Sequence, residues 1–207
     1  VLRPTLELIG PDENSHCVVG CYMVNVKGRT IFLADATVNV YPDSRTLAEI
    51  AVQTAKVARR FGVAPKVAML SFSNFGSSRA QRSERIEDAI DFARELDPSL
   101  VIDGPMQADT ALNGEVQEEY PFMDFDGPAN VLVLPNLAAA NIAYKLLEEL
   151  GDAEMTGPIL EGMDKPVQLV ARRDGVRHIV NMAAICAADA IRQDSYWESL
   201  VSSPDEV

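Results

Sequence analysis

Cysteine is scarce in this chain of 207 residues: there are three, Cys17, Cys21 and Cys186, an odd number that cannot pair completely. A chain of this size needs no disulfide staples, so a reducing, cytoplasmic setting is the expectation. Histidine is scarcer still, at two residues. His16-Cys17 with Cys21 therefore lacks both the spacing and the partners of a zinc site, and reads as structural. Basic residues are outnumbered, 18 against 31 acidic, for a net charge of −13. Phosphate contacts need a surplus of Lys and Arg, so nucleic acid is excluded as the main partner, and an anionic membrane surface with it. No apolar run approaches the roughly 18–20 residues of a membrane-spanning helix. A signal-peptide layout is missing too. The opening VLRPTLELIG, with no initiator Met, reads as a cut through a longer chain. GxGxxG, HExxH, a P-loop and a Ser-His-Asp order are absent.

What remains is ordinary globular usage, 47% hydrophobic and 24% charged, enough for one medium domain or a large piece of a two-domain unit. The first forty residues look like sheet. CVVGCYMVNV and TIFLADATV are rich in β-branched and aromatic residues, with a turn at Lys27-Gly28-Arg29. Leu47, Ile50, Ala51, Thr54, Val57, Ala58 and Phe61 then recur at helical steps, with Ser44 as N-cap and Gly62 as stop. KVAMLSFS (Lys66 to Ser73) is an apolar run of the kind found in sheets covered on both faces. A second helix opens at Ser83 and closes at Asp97-Pro98. A short strand follows at Leu100 to Ile102, then a helical stretch from Met106 to Gln117 and a loop to Gly127. NVLVLP is a strand and Leu137 to Leu150 a helix. Met155 to Leu160 and Val167 to Val170 read as strands, Gly175 to Gln193 as a long helix, and residues 196–207 as a frayed tail. The succession predicts one α/β domain over residues 1–195, three layers (α/β/α) around a mainly parallel sheet.

In such sheets ligands sit beyond the carboxyl ends of the strands, which singles out four loops. Ser71-Phe72-Ser73-Asn74-Phe75-Gly76-Ser77-Ser78 offers hydroxyls and an amide at a helix start, suited to a phosphate or carboxylate or simply to capping. Asp103 and Asp109 could serve acid–base chemistry, although capping is the better reading for at least one. Asn136 leads into a helix on which Asn141 and Lys145, four apart, share a face: a site or a solvated edge. Arg172, Arg173 and Arg177 surround the start of the last helix, where bidentate guanidinium groups would suit phosphate, or would merely offset nearby acids.

Five segments carry a resemblance in order and spacing: FLADATVNVYPDSRTLAEIA, PKVAMLSFSNFGSS, DGPMQADTALN, GPANVLVLPNLAAANIAYKLL and GPILEGMDKP. Together they resemble the phosphate acetyltransferase family, from the first residues to about Asp189 and over the later part of that family's unit. The implied fold is the isocitrate/isopropylmalate dehydrogenase-like one of phosphotransacetylases. Ser-Asn-Phe-Gly-Ser, Gln-Ala-Asp-Thr-Ala-Leu-Asn, Tyr-Pro-Phe and Ile-Val-Asn-Met resemble the version at the C-terminal end of bacterial NADP-dependent malic enzymes.

Aligned on Ile179-Val180, Ala171 stands where the active family has a serine, Arg172 keeps its arginine, and His178 replaces the aspartate that takes the thiol proton from CoA. Glu149 occupies the place of an arginine one turn beyond Lys145, and Pro105 that of a glutamate. The resemblance thus implies a domain without catalytic residues that still binds acetyl-CoA or CoA. Arg172 and Lys145 would meet phosphate or carbonyl oxygens, and Ser71, Ser73, Asn74 and Asn141 would line the cleft. It further implies regulation of a malic-enzyme domain in the same chain, with NADP and a divalent metal confined to that domain, and self-association through this one. The competing expectation is a working acetyltransferase that uses His178 as base.

Overall fold

The computed structural model describes residues 2–76, 81–172 and 174–201. Helix α1 (Leu2–Leu8) stands where sheet is expected; Leu6 and Ile9 pack beside Val18, Leu160 and Met163, a helical spacing that the β-rich stretch behind it masks. Strands β1 (Val19–Val26) and β2 (Arg29–Ala34) form a hairpin with Val26 opposite Arg29. Its two linking residues, Lys27 and Gly28, both sit at positive φ, 50° and 73°. That backbone matches the twist of the strands, and glycine adopts it without steric cost.

Helix α2 (Ser44–Arg60) is capped by Asp43, not Ser44: the Asp43 carboxylate accepts from Thr46 N–H at 2.8 Å, and Ser44 already lies in the first turn. Gly62 follows its end at φ 75°. Strand β3 (Lys66–Leu70) stops three residues short of the expected Ser73. Helix α3 (Gln81–Leu96) opens ahead of the expected Ser83, while Ser77, Ser78 and Arg173 lie outside the described residues, as do 202–207 of the expected tail.

Strand β4 (Val101–Met106) is longer than expected because it absorbs Gly104-Pro105. A β-carbon on Gly104 would meet Met69 O at 2.7 Å, so glycine is what lets the two strands run this close. Instead of one helix from Met106 to Gln117 there are two short ones, α4 (Ala108–Leu112) and α5 (Gly114–Gln117), divided at Asn113, which caps the second. Strand β5 (Val131–Val133) and helix α6 (Leu137–Leu150) follow the reading, and β6 (Glu154–Glu161) is slightly longer. Val167 to Val170 is no strand. There Gln168 accepts from Leu160 N–H with its side chain (3.0 Å), which takes the place of a ladder bond. Helix α7 (Val176–Val201) runs past the expected Gln193.

The sheet order is β4-β3-β5-β2-β1-β6, with β1 antiparallel to both neighbours and the other strands aligned. One face is covered by α2 and α3 with Met182 and Ile185 of α7, the other by α4 and α6, so the expected three layers are present. The aligned strands deliver the loops after β2, β3, β4, β5 and β6 to one edge.

Asp43 gives the α2 cap a pH signature. The Thr46 N–H bond holds its carboxyl below the ordinary 3.8, so its contribution is present above that value and is lost as pH falls through the lower folded value. Asp43→Ala is expected to cost about 1 kcal/mol near neutrality by urea denaturation, the usual worth of a cap. The difference from the parent should shrink below about pH 4.

Candidate functional site

Asp35, the first residue beyond β2, is only 2% exposed. Its carboxylate accepts from the backbone N–H groups of Gly20 (3.3 Å), Thr37 (2.8 Å), Val38 (3.1 Å) and Asn39 (2.8 Å), and from the Asn39 side chain at 2.6 Å. Burial pushes its pKa up, against the pull of these donors toward the charged form. Asn39 also donates to Val18 O (2.9 Å), so the start of β1, the end of β2 and the turn after it are fastened as one piece. Nothing in the sequence reading singled out Asp35. Its signal is an acid directly after the apolar Ile31-Phe32-Leu33-Ala34.

The serine loop is built on the next two strands. Ser71 N–H donates to Met106 O at 2.8 Å, and Phe75, at φ 45°, donates to Pro105 O at 2.7 Å. Asn74 uses both ends of its amide: the oxygen accepts from Gln107 N–H (2.7 Å) and the nitrogen donates to the Tyr120 hydroxyl (3.0 Å). Gln107 returns a bond to Phe72 O at 2.6 Å. Asn74 is thus a latch between three segments, and Gln107 and Tyr120 are site residues the reading missed. Ser73 is 5% exposed, and its hydroxyl has no partner among the described residues. A buried hydroxyl left unmet is costly.

Asp103 accepts from Gly104 and Asp124 N–H (2.7 and 2.8 Å) and tethers the 118–127 loop; burial raises its pKa. Asp109 lies in the first turn of α4 and accepts from Thr110 N–H at 2.9 Å, while the N-cap position belongs to Gln107. Asn136 caps α6 through Ala139 N–H at 2.9 Å. On that helix Asn141 is half-buried, and Lys145 and Glu149 are exposed. Lys145 Nζ lies 5.0 Å from the Tyr144 ring centroid, and that ring stacks on Tyr22 at 4.3 Å.

The segment before α7 folds around Asp174. Its Oδ2 accepts from Ala171 N–H at 2.6 Å and lies 3.5 Å from His178 Nε2. Arg172 is exposed, and Arg177 pairs with Glu154 at 3.4 Å. Burial, then Tyr144, Glu148 and Asp174, push the Tyr22 phenol strongly upward. Asn141 and Lys145 lie on α6, and Ala171 to His178 lead into α7, with no recorded contact between them among the described residues. Ser71, Ser73 and Asn74 form their own cluster with Gln107 and Tyr120. No hydrogen bond or ion pair among the described residues joins the two groups.

These features define an α/β protein with a polar, strand-end edge that offers hydroxyls, amides and a few cations. Residues 1–187 match the family of phosphate acetyl/butaryl transferases, and the chain belongs to that family. It is 42% identical over 175 residues to the NADP-dependent malic enzyme of Rhizobium meliloti, covering 84% of this chain and 23% of that one. It is 39% identical over 191 residues to the phosphate acetyltransferase of Bacillus subtilis, covering 92% of this chain and 59% of that enzyme. A phosphotransacetylase from Streptococcus pyogenes superposes with a TM-score of 0.87 at 36% identity, over 92% of this chain and 59% of that one. The chain therefore spans well under two thirds of these relatives. It is a phosphotransacetylase-like domain that matches both free acetyltransferases and the C-terminal region of malic enzymes.

Asp35→Ala is expected to lower stability by about 3 kcal/mol, because several buried N–H groups lose their acceptor at once. Asp35→Asn should recover part of that through its remaining carbonyl oxygen. Urea denaturation measures both, and a loss below about 0.5 kcal/mol for the alanine variant, the range of a plain surface change, would contradict this role.

Proposed function

We propose that this domain is a non-catalytic, acetyl-CoA-binding regulatory and oligomerisation domain of an NADP-dependent malic enzyme. Its catalytic part, with NADP and a divalent metal, would carry out oxidative decarboxylation of malate to pyruvate. The observation that supports the ligand reading is the match of residues 1–187 to the family of phosphate acetyl/butaryl transferases. The loss of chemistry rests on the segment before α7, where Ala171 brings no hydroxyl. Exposed Lys145 and Arg172 are placed to attract phosphate oxygens, and Glu149 one turn on would repel them. Self-association is supported by the exposed stripe Ile142, Leu146 and Leu150 on α6, at 60%, 53% and 80% exposure. Apolar patches of this kind mark contact surfaces.

One geometric feature favours a second reading, an active acetyltransferase. Asp174 close to His178 is the arrangement that orients an imidazole base and steadies its protonated form.

Calorimetry with acetyl-CoA and a coupled assay from acetyl phosphate and CoA separate the two. The expected outcome is binding without turnover, with Arg172→Ala and Lys145→Ala each weakening binding about tenfold, the worth of one charge-assisted contact. Clear turnover that is abolished in His178→Ala would establish the second reading. Light scattering on the same samples reads the assembly role, which a strictly monomeric domain would contradict.

A further inference from the structure

Arg85 sits on α3, the helix that follows the serine loop. Its neighbours Ile86 and Ala89 sink into the core, which fixes where its side chain emerges. From there the guanidinium reaches two other strand-end segments. Nη1 donates to Pro42 O at 2.9 Å, and Nη2 donates to Pro135 O at 3.0 Å. Pro42 stands directly before Asp43, the cap of α2, and Pro135 directly before Asn136, the cap of α6. Leu137 N–H also donates to Val40 O at 3.3 Å, so the segment after β2 already touches the start of α6. Arg85 fastens α3 to both.

This joint bears on the two halves of the strand-end edge. Ser71, Ser73 and Asn74 lie on the loop that leads into α3, and Asn141 and Lys145 lie on the helix that leaves Pro135. One planar fork with fixed angles between its N–H groups therefore sets how far apart the two halves stand.

The charge of Arg85 points the same way. A half-buried guanidinium normally takes a carboxylate, and this chain offers 31 acidic residues. Yet Arg85 makes no ion pair among the described residues; its terminal nitrogens bond carbonyls, and its buried Nε has no partner there. The acids closest in sequence are placed elsewhere. Asp43 accepts from Thr46 N–H, and the cations that act on it are His16 and Arg45. Glu84 and Asp88 stand exposed in water, and Glu87 lies toward Gly76, where its Oε1 would be 3.4 Å from an added β-carbon. Carbonyl oxygens satisfy the N–H groups of Arg85 without neutralising it.

We propose that Arg85 is a positioning residue of the strand-end edge. It holds the serine-loop half and the α6 half in register, and its unpaired charge favours an anionic ligand that touches both. The identity of that ligand rests on the acetyl-CoA reading; the register rests on the Pro42 and Pro135 bonds alone.

The test uses the 207-residue chain with Arg85→Gln, which removes the charge and the fork, and Arg85→Lys, which keeps the charge without the fork. Without ligand, amide chemical shifts in Arg85→Gln are expected to move at Asp43, Asn136 and Leu137 as well as on α3; changes confined to α3 would overturn the register. By calorimetry, Arg85→Gln should bind acetyl-CoA about tenfold more weakly than the parent, and Arg85→Lys about threefold. A packing role alone would leave the salt dependence of affinity unchanged. The proposal requires a shallower dependence in Arg85→Gln and the parent's dependence in Arg85→Lys. Unaltered affinity and salt dependence in Arg85→Gln would overturn the proposal while the acetyl-CoA reading stands. No binding by the parent would remove that reading and the charge role with it, and the ligand-free shifts would then decide the register. Should Arg85→Gln fail to fold by circular dichroism, Arg85→Lys decides: shifts at Asn136 and Leu137 identical to the parent's would overturn the register.

Discussion

A carboxylate withdrawn from water at the end of β2 organises the functional edge of this domain. Asp35 gathers N–H donors from the start of β1 and from its own following turn. β1 is the strand that runs against its neighbours, so the sheet changes direction beside Asp35. Backbone groups left by such a reversal need partners, and a buried acid with two oxygens supplies several at once. The loops on either side inherit that fixed frame.

Upon that frame the edge divides into rigid and open parts. Asn74 bonds Gln107 N–H and the Tyr120 hydroxyl, and the Gln107 side chain donates to Phe72 O, which holds the β3 and β4 loops together. Ser73 beside them keeps an unspent hydroxyl. On the α6 and α7 side Lys145 and Arg172 reach into solvent, with Asp174 bracing Ala171 and His178. Binding tolerates such a loose periphery, whereas bond-making needs its groups held within fractions of an ångström. The proposed binding role asks less of this edge than catalysis would.

Much of this was legible from residue patterns, and the failures share a cause. Strongly periodic or continuously apolar segments, such as Leu137 to Leu150 and the β2 and β5 runs, declared themselves because burial of one face or both decides their type. Short elements did not. α1 is seven residues long, and its Leu6 and Ile9 gain meaning only against Val18 and Met163. β4 continues through a glycine and a proline because of how close it runs to β3, which local propensity cannot express. Val167 to Val170 has strand composition, but there Gln168 occupies the bonding group a strand would use. Ser71, Ser73, Asn74, Asn141, Lys145 and Arg172 were singled out by their polar chemistry at strand ends. Asp35, Gln107 and Tyr120 escaped because they bond partners distant in the sequence.

The proposed function turns on binding of acetyl-CoA at the strand-end edge. Backbone amide chemical shifts recorded during addition of acetyl-CoA test it directly. The account predicts changes concentrated at Ser71 to Gly76, Gln107 and the segment from Ala171 to His178. An undisturbed spectrum, or changes confined to residues away from this edge, would contradict it.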